Sequence, residues 1–198
     1  LLVVNNPHNP TGSVLSKMDI QEMESLMDNF PNLYILSDEV YEHIQYNGEH
    51  QSVLKSEKLR KRSFVVYSFG KSMHVTGWKL GYCIAPSQYM KEFRKIHQYM
   101  VFCANNTMQA AVANFLLEED WKNVKGMYQR KKDLFLNAIA SSRFKPLACE
   151  GTYFCLLDYG AISSLSDVEF AKQLTTEFGV AVIPVSVFYE DQTDNHVI

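Results

Sequence analysis

Three short apolar runs, each followed directly by polar residues, constrain the fold of this chain more than any other feature. The runs occupy residues 1–4, 33–36 and 64–67, and they are rich in the branched and aromatic side chains typical of buried strands. Between the first two, Ser16 begins a capping-box pattern, which predicts a helix to about Asn29. Strands separated by a helix favour right-handed β-α-β crossovers. We therefore predict an α/β fold with a largely parallel sheet.

The polar residues after each run fall where open α/β sheets bind their ligands. Asn-Asn-Pro-His-Asn-Pro-Thr-Gly occupies residues 5–12, Ser-Asp-Glu-Val-Tyr residues 37–41 and Ser-Phe-Gly-Lys residues 68–71, with Lys79 eight residues further on. Because parallel strands end at one edge of a sheet, we expect an amide, an acid, a phenol, a hydroxyl and two amines at one rim. That set suits a polar, phosphorylated, electrophilic ring, a description that fits pyridoxal phosphate.

In this order and spacing, the motifs resemble the fold-type I pyridoxal-phosphate aminotransferases of class I/II across most of residues 5–85. Residues 151–154 and 179–188 are similar to the branch that contains methionine and kynurenine–glutamine aminotransferases. The resemblance implies pyridoxal 5'-phosphate as cofactor. It also implies a ping-pong transfer of an amino group between an amino acid, of methionine or aromatic type, and a 2-oxo acid.

The central site residues are predicted from the chemistry that this cofactor needs. Lys71 is expected to bond to the cofactor aldehyde and, once displaced by a substrate amine, to move the proton at the substrate Cα. Asp38 is expected to face the pyridine nitrogen and keep it protonated. Tyr41 and the Asn9 amide are expected to reach the ring oxygen, and Asn9 is also a candidate substrate contact. Taken singly, Asn9 and its neighbours also suit a plain turn, Asp38 a helix N-cap and Tyr41 a buried tyrosine bonded to the backbone.

Two further residues suit the cofactor phosphate. Ser68 supplies a short hydroxyl donor, and Lys79 supplies a point charge where many relatives have arginine. A solvent-exposed lysine in a strand is the alternative for Lys79. The resemblance implies that the bond between Asn9 and Pro10 is cis, and His74 is expected to pack or hydrogen-bond within the lysine loop.

The pattern changes after the third run. Residues 79–85 predict a further strand, which the resemblance implies is antiparallel, and Trp78 and Tyr82 are expected in the sheet core. From residue 87 to about residue 142, apolar side chains recur at three-to-four spacing, which predicts helices.

The C-terminal part has a mixed pattern. Residues 145–149 and 153–157 predict a pair of strands, and 180–183 predict another strand. Ser166 begins a second capping-box pattern, and Gly179 is expected to end the helix that follows.

We predict two domains: residues 1–118 as the C-terminal part of a large cofactor-binding domain, and 119–198 as a truncated, smaller α+β domain. The chain opens at Leu1 within a strand pattern, and residues 195–198 resemble the start of another strand. We therefore expect an internal piece, about half of an aminotransferase. The resemblance implies that the ring-stacking residue and phosphate loop precede Leu1, and that the carboxylate-binding arginine follows Ile198.

Composition narrows the class of partner. The formal charge of −3 includes no long block of one sign, and the basic residues 58–62 have no aromatic platform beside them, so we expect a solvated loop and no nucleic acid. The four cysteines have no C-x-x-C spacing, so we expect no metal site and a reducing, cytoplasmic environment. No apolar run approaches the roughly 20 residues that span a bilayer.

Three further expectations stay open. The resemblance implies a homodimer with sites near the interface, and residues 102–107 mix an aromatic with amides, as a buried junction or an interhelix turn would. A C–S β-lyase on the same fold would use the same ring-holding residues. A regulator with an aminotransferase-like domain behind a DNA-binding module is the non-catalytic alternative.

Overall fold

The computed structural model describes residues 1–118 and 120–198. Its main sheet has four strands in sequence order: β1 (Leu2–Asn5), β2 (Ile35–Asp38), β3 (Ser63–Ser68) and β4 (Gly81–Ile84). The first three strands are parallel and β4 is antiparallel to β3. The predicted α/β class, the parallel sheet and the direction of the fourth strand are confirmed.

The alternation of side chains along the strands decides which residues enter the core. In β2 and β3, buried and half-buried residues alternate, with Ile35 and Val65 fully buried. These two pack with Met23 and Met27, which lie on the first helix, α1 (Lys17–Asn29). The core therefore covers one face of the sheet.

The capping box predicted for α1 is present. The Ser16 hydroxyl accepts hydrogen bonds from the backbone N–H groups of Met18 and Asp19, both at 3.2 Å. The Asp19 carboxylate accepts one from the Ser16 N–H at 2.6 Å. These bonds satisfy N–H groups that have no partner within the helix, and Asp19 has a pKa below its ordinary value because of its hydrogen bond with the Ser16 backbone.

Two of the four basic residues predicted as a loop, Lys58 and Arg60, lie in a one-turn helix, α2 (Glu57–Arg60). The prediction was wrong because Leu59 is fully buried in the core and holds the segment against the sheet. Lys58 and Lys61 face outward, as expected: Lys58 pairs with Asp28 at 2.6 Å and Lys61 with Glu57 at 2.8 Å. Arg62 is half-buried and donates to the Met27 carbonyl at 2.7 Å.

The helical prediction for residues 87–142 is confirmed as three helices, which follow the one-turn helix α3 (Phe69–Ser72). They are α4 (Ser87–Met100), α5 (Asn106–Phe115) and α6 (Val124–Ile139). The connection at residues 102–107 is an interhelix turn in which Asn105 caps α5 by accepting from the Met108 N–H at 3.1 Å. The predicted domain boundary falls beside residue 119, which lies outside the described residues, and the division stays a prediction.

The predicted pair of C-terminal strands is shorter than expected. Of the residues described in this region, only β5 (Lys145–Pro146) and β6 (Leu157–Asp158) pair. The backbone between them bonds elsewhere: the Gly12 carbonyl accepts from the N–H groups of residues 150 and 151, at 2.9 and 2.8 Å, and the Ile44 carbonyl accepts from Thr152 at 2.7 Å. These contacts with the large sheet's loops replace the expected hairpin bonds.

The last helix, α7 (Asp167–Phe178), begins at a Ser166 capping box and ends at Gly179 in the left-handed region, as predicted. Residues 180–183, all of which the structure describes, do not form the predicted strand. The free edge of β6 is instead taken by the end of the chain, where Leu157 and Ile198 exchange backbone hydrogen bonds of 2.8 and 3.0 Å. None of the helices in the described part of the chain is long and apolar enough to cross a membrane.

Candidate active site

The three parallel strands bring their polar C-terminal residues to one edge of the sheet. Asn5 and Asp38 are register partners at the ends of β1 and β2, and Ser68 ends β3. The Asp38 carbonyl accepts from the Asn5 side-chain amide and from the Asn6 N–H, both at 2.9 Å. These bonds fix the loop after β1 against the end of β2.

The loop after β1 carries Asn9 to the Tyr41 hydroxyl. The Asn9 N–H donates to the Asn5 side chain at 2.7 Å, and the Asn9 side-chain amide donates to the Tyr41 hydroxyl at 3.4 Å. The bond between Asn9 and Pro10 is cis, as predicted, and so is the bond between Asn6 and Pro7, which was not predicted. The amide and the phenol expected at the ring oxygen are therefore neighbours.

Lys71 lies in α3, directly after β3. The Ser68 hydroxyl caps this helix by accepting from the Gly70 N–H at 3.1 Å. Gly70 is required by space, because a Cβ there would lie 2.8 Å from the Cα of Thr76. This close approach of the Thr76 backbone holds the turn that carries Lys71.

The Lys71 amine contacts a residue that the sequence did not single out. Its Nζ donates to the Tyr153 hydroxyl at 3.3 Å and lies 5.8 Å from the centre of the Tyr41 ring. The two tyrosine rings meet edge to face, with centres 5.3 Å apart. Residues 151–154 contributed to the family resemblance, but Lys71 and Tyr153 are 82 positions apart in the sequence, so no local pattern indicated their contact.

The electrostatics of Asp38 and Tyr41 follow from burial. Burial raises the pKa of Asp38, although the Val40 N–H, which donates to its carboxylate at 3.2 Å, and the charge of Lys71 act in the opposite direction. Burial and the neighbouring Tyr153 raise the pKa of Tyr41, so its phenol stays protonated and can donate. The site thus holds a carboxylate that a nearby cation would stabilise.

Ser68 and Lys79 are related through the β3–β4 ladder. Ser68 pairs with Gly81, two residues after Lys79, and a side chain at Gly81 would overlap the Tyr67 carbonyl. The Ser68 oxygen accepts a hydrogen bond from the Gly70 N–H, so the Ser68 O–H remains free to donate a hydrogen bond to a ligand. Lys79 is exposed and adopts a left-handed backbone conformation at the end of a short 3-10 helix.

The surroundings of three side chains near the segment that carries Lys71 can be compared with the predictions made for them. Trp78 and Tyr82 are 37% and 40% exposed, so the prediction that they lie in the sheet core was wrong. Tyr82 belongs to the edge strand β4 and stacks on Tyr67 with ring centres 4.7 Å apart. His74 lies 3.5 Å from the Tyr128 hydroxyl, in agreement with a hydrogen-bonding role.

Comparison with known proteins agrees with this arrangement. The family described as aminotransferase class I and II matches residues 1–195. The chain belongs to this family. It is 44% identical over 201 residues to methionine aminotransferase of Escherichia coli K12, and the match covers 100% of this chain and 52% of that protein. It is 36% identical over 213 residues to kynurenine–oxoglutarate transaminase of Dictyostelium discoideum, covering 96% and 49% respectively.

Solved structures show the same similarity. The Escherichia coli protein YbdL, for which a methionine aminotransferase function was identified, superposes with a TM-score of 0.94 at 44% identity, covering 99% of this chain and 52% of that one. An aromatic aminotransferase from Pyrococcus horikoshii OT3 gives a TM-score of 0.84 at 31% identity, covering 98% and 52%. The chain thus spans about half the length of these relatives, and the predicted fold type I is confirmed.

Class I/II aminotransferases use pyridoxal phosphate, act on amino and oxo acids and are typically dimers. The residues at this sheet edge fit the cofactor. Burial raises the pKa of Asp38, so a protonated ring nitrogen beside it would offset the cost of the buried charge. An amine, a phenol and an amide lie close by, in Lys71, Tyr41 and Asn9.

Proposed function

We propose that the complete protein is a pyridoxal-phosphate-dependent aminotransferase that moves an amino group between an amino acid and a 2-oxo acid. The observation that carries the proposal is the convergence of the Lys71 amine, Tyr41, Asn9 and Asp38 at the end of the parallel strands. Family membership and the 44% identity to a methionine aminotransferase support it.

Each residue has a distinct task in this proposal. When bound, the cofactor supplies an electron sink for the pair left at the substrate Cα. Asp38 holds a proton on the ring nitrogen, and Tyr41 and Asn9 hydrogen-bond to the ring oxygen. Lys71 is the covalent anchor and, when released, carries the proton at Cα.

The remaining polar groups orient these parts. The Ser68 hydroxyl would donate a hydrogen bond to the phosphate and Lys79 would contribute a positive charge. Tyr153 accepts a hydrogen bond from the Lys71 amine at 3.3 Å and so directs it toward Tyr41. Asn9, which donates to the Tyr41 hydroxyl and also lines an adjoining cavity, is our candidate for a substrate contact.

The substrate class we propose is methionine or an aromatic amino acid. A cavity of about 670 Å³ adjoins Asn9 and Pro10, and among the described residues its walls are almost wholly apolar, with Phe135, Phe154 and Val182 among them. Such walls favour an apolar substrate side chain over an acidic one, which would be left without a partner. The name of the methionine aminotransferase, which is 44% identical, supports this class, whereas an aspartate aminotransferase stands among the relatives at 34% identity.

We further propose a homodimer in the cytoplasm. Tyr99, Met100 and Phe102 are 88%, 79% and 79% exposed at the end of α4, which supports a further protein surface over them. The four cysteines are free thiols, which agrees with a reducing compartment.

Product analysis on the complete protein tests the activity. With methionine or an aromatic amino acid and a 2-oxo acid, the oxo acid of the donor and a new amino acid should form in equal amounts. With an S-substituted cysteine as substrate, release of pyruvate, ammonia and a thiol without consumption of an oxo acid would show a C–S β-lyase instead. Cofactor binding without turnover, together with a DNA-binding module in the complete protein, would favour the regulator.

A further inference from the structure

A fully buried carboxylate lies directly beside Asp38, and none of the roles above uses it. Glu39 has no exposed surface, although it follows the last residue of β2. Side chains alternate along a strand, so Glu39 shares a face with Ser37 and points away from Asp38. Glu39 therefore lies behind the candidate site, at the end of the core.

Four donors from separate parts of the chain converge on Glu39. One carboxylate oxygen accepts from the Ser37 hydroxyl at 3.0 Å and from the Val53 N–H at 3.1 Å. The other accepts from His50 Nε2 at 2.9 Å and from the Tyr67 hydroxyl at 3.1 Å. Both oxygens are satisfied, as a buried carboxylate requires.

His50 and the other donors favour the ionised form of this carboxylate. Burial is the largest influence on the pKa of Glu39 and raises it, but the hydrogen bonds from His50, Ser52 and the Val53 N–H, together with the charge of His50, hold the pKa below its ordinary value. The His50 side chain is itself 13% exposed, and its Nδ1 is buried without a hydrogen-bond partner in the described part of the chain. The pair is therefore an internal one, in which each partner depends on the other.

The hydrogen bond between Glu39 and Tyr67 connects the end of β2 to β3, next to two residues of the candidate site. Glu39 is the chain neighbour of Asp38, and Tyr67 is the chain neighbour of Ser68, which begins the segment that carries Lys71. We infer that Glu39, His50 and Tyr67 are positioning residues that fix the separation between Asp38 and Ser68. The inference rests on the proposed function, in which these two residues hold opposite ends of the cofactor, the ring nitrogen and the phosphate.

The test uses substitutions that remove one hydrogen bond. Tyr67→Phe deletes only the hydroxyl that donates to Glu39. Tyr82→Phe is the matched control, because its ring stacks on Tyr67 at 4.7 Å while its hydroxyl donates to Glu42 at 3.4 Å. His50→Gln is a second probe of the network should Tyr67→Phe fail to fold.

Three quantities are measured on the complete protein: the dissociation constant for pyridoxal phosphate, the pH midpoint of the visible band of the bound cofactor, and the thermal stability of the cofactor-free protein. We expect Tyr67→Phe and His50→Gln to weaken cofactor binding, by at most the roughly tenfold that one charge-assisted hydrogen bond is worth, and to shift the pH midpoint. Tyr82→Phe should keep the parent values.

Two results would overturn the inference, and they are distinguishable. A parent protein that binds no pyridoxal phosphate removes the proposed function and this inference with it. A parent that binds, with Tyr67→Phe and His50→Gln variants that lose thermal stability but keep the parent affinity and pH midpoint, shows that Glu39 only packs the core. If either Tyr67→Phe or His50→Gln fails to fold, the comparison is made with the variant that does fold.

Discussion

Substituting Asp38 by asparagine separates the chemical role of its charge from its structural role. The asparagine keeps the shape of the side chain and can still accept the hydrogen bond that the Val40 N–H donates at 3.2 Å. A neutral amide cannot hold a proton on the cofactor's ring nitrogen. We therefore expect Asp38→Asn to bind pyridoxal phosphate and to lose the protonated form of the ring.

The magnitude follows from the position of Asp38. Two unit charges about 4 Å apart interact by about 4 kcal/mol at the effective dielectric constant of about 20 that suits partly buried sites. A rate falls tenfold for each ~1.4 kcal/mol of barrier. Loss of the proton from the substrate Cα should therefore slow by roughly 10³-fold.

The same substitution should stabilise the folded protein when no cofactor is bound. Burial raises the pKa of Asp38 from its ordinary value of 3.8, so the folded state disfavours the carboxylate. The penalty is absent when the pH is below the ordinary pKa, because Asp38 is then protonated in both states. It appears as the pH rises through the ordinary pKa and is fully present when the pH exceeds the raised pKa of the folded state. At pH 7 the Asp38→Asn protein without cofactor should be more stable than the parent, and the difference should vanish in acid.

Stopped-flow measurement with Cα-deuterated and ordinary substrate tests the kinetic part, and urea unfolding at pH 7 and at low pH tests the stability part. An isotope effect larger than in the parent, with a slower rate, is the expected kinetic result. A rate and isotope effect equal to the parent's would refute the assignment of Asp38 to the ring nitrogen.

Three other predictions concern the turn, the first helix and assembly. Gly70→Ala should weaken cofactor binding, because the new Cβ would meet the Thr76 Cα at 2.8 Å and displace Lys71; affinity equal to the parent's would contradict this. Ser16→Ala should lower the free energy of unfolding by about 1 kcal/mol in urea and leave cofactor affinity unchanged, since it removes only a helix cap. Light scattering of the complete protein should give a dimer, and a monomer with full activity on dilution would refute the proposed dimer with sites near its interface.

Local patterns were enough to predict much of the fold. The capping boxes at Ser16 and Ser166 and the terminating Gly179 depend on side chains within a few residues of the helix ends, and all three are present. The strands of the main sheet were predicted to within two residues at each end, because their apolar runs are short and bounded by polar motifs.

The features that sequence reasoning missed depend on distant partners. Residues 180–183 have the composition of a strand, but the edge of β6 that they would need is occupied by residues 197–198. The contact of Tyr153 with Lys71 and the burial of Glu39 by Tyr67 join segments 82 and 28 residues apart. Patterns within a window of a few residues carry no information on such pairings.

The most direct test of the account is covalent labelling of the complete protein. Borohydride reduces the bond between a lysine amine and the cofactor aldehyde and leaves a stable pyridoxyl group, which peptide mapping locates. The account predicts a yellow protein with the label on Lys71, and no label at that position in Lys71→Ala, whose activity should fall by at least about 10²–10⁴. A label on any other lysine of the parent protein would contradict it.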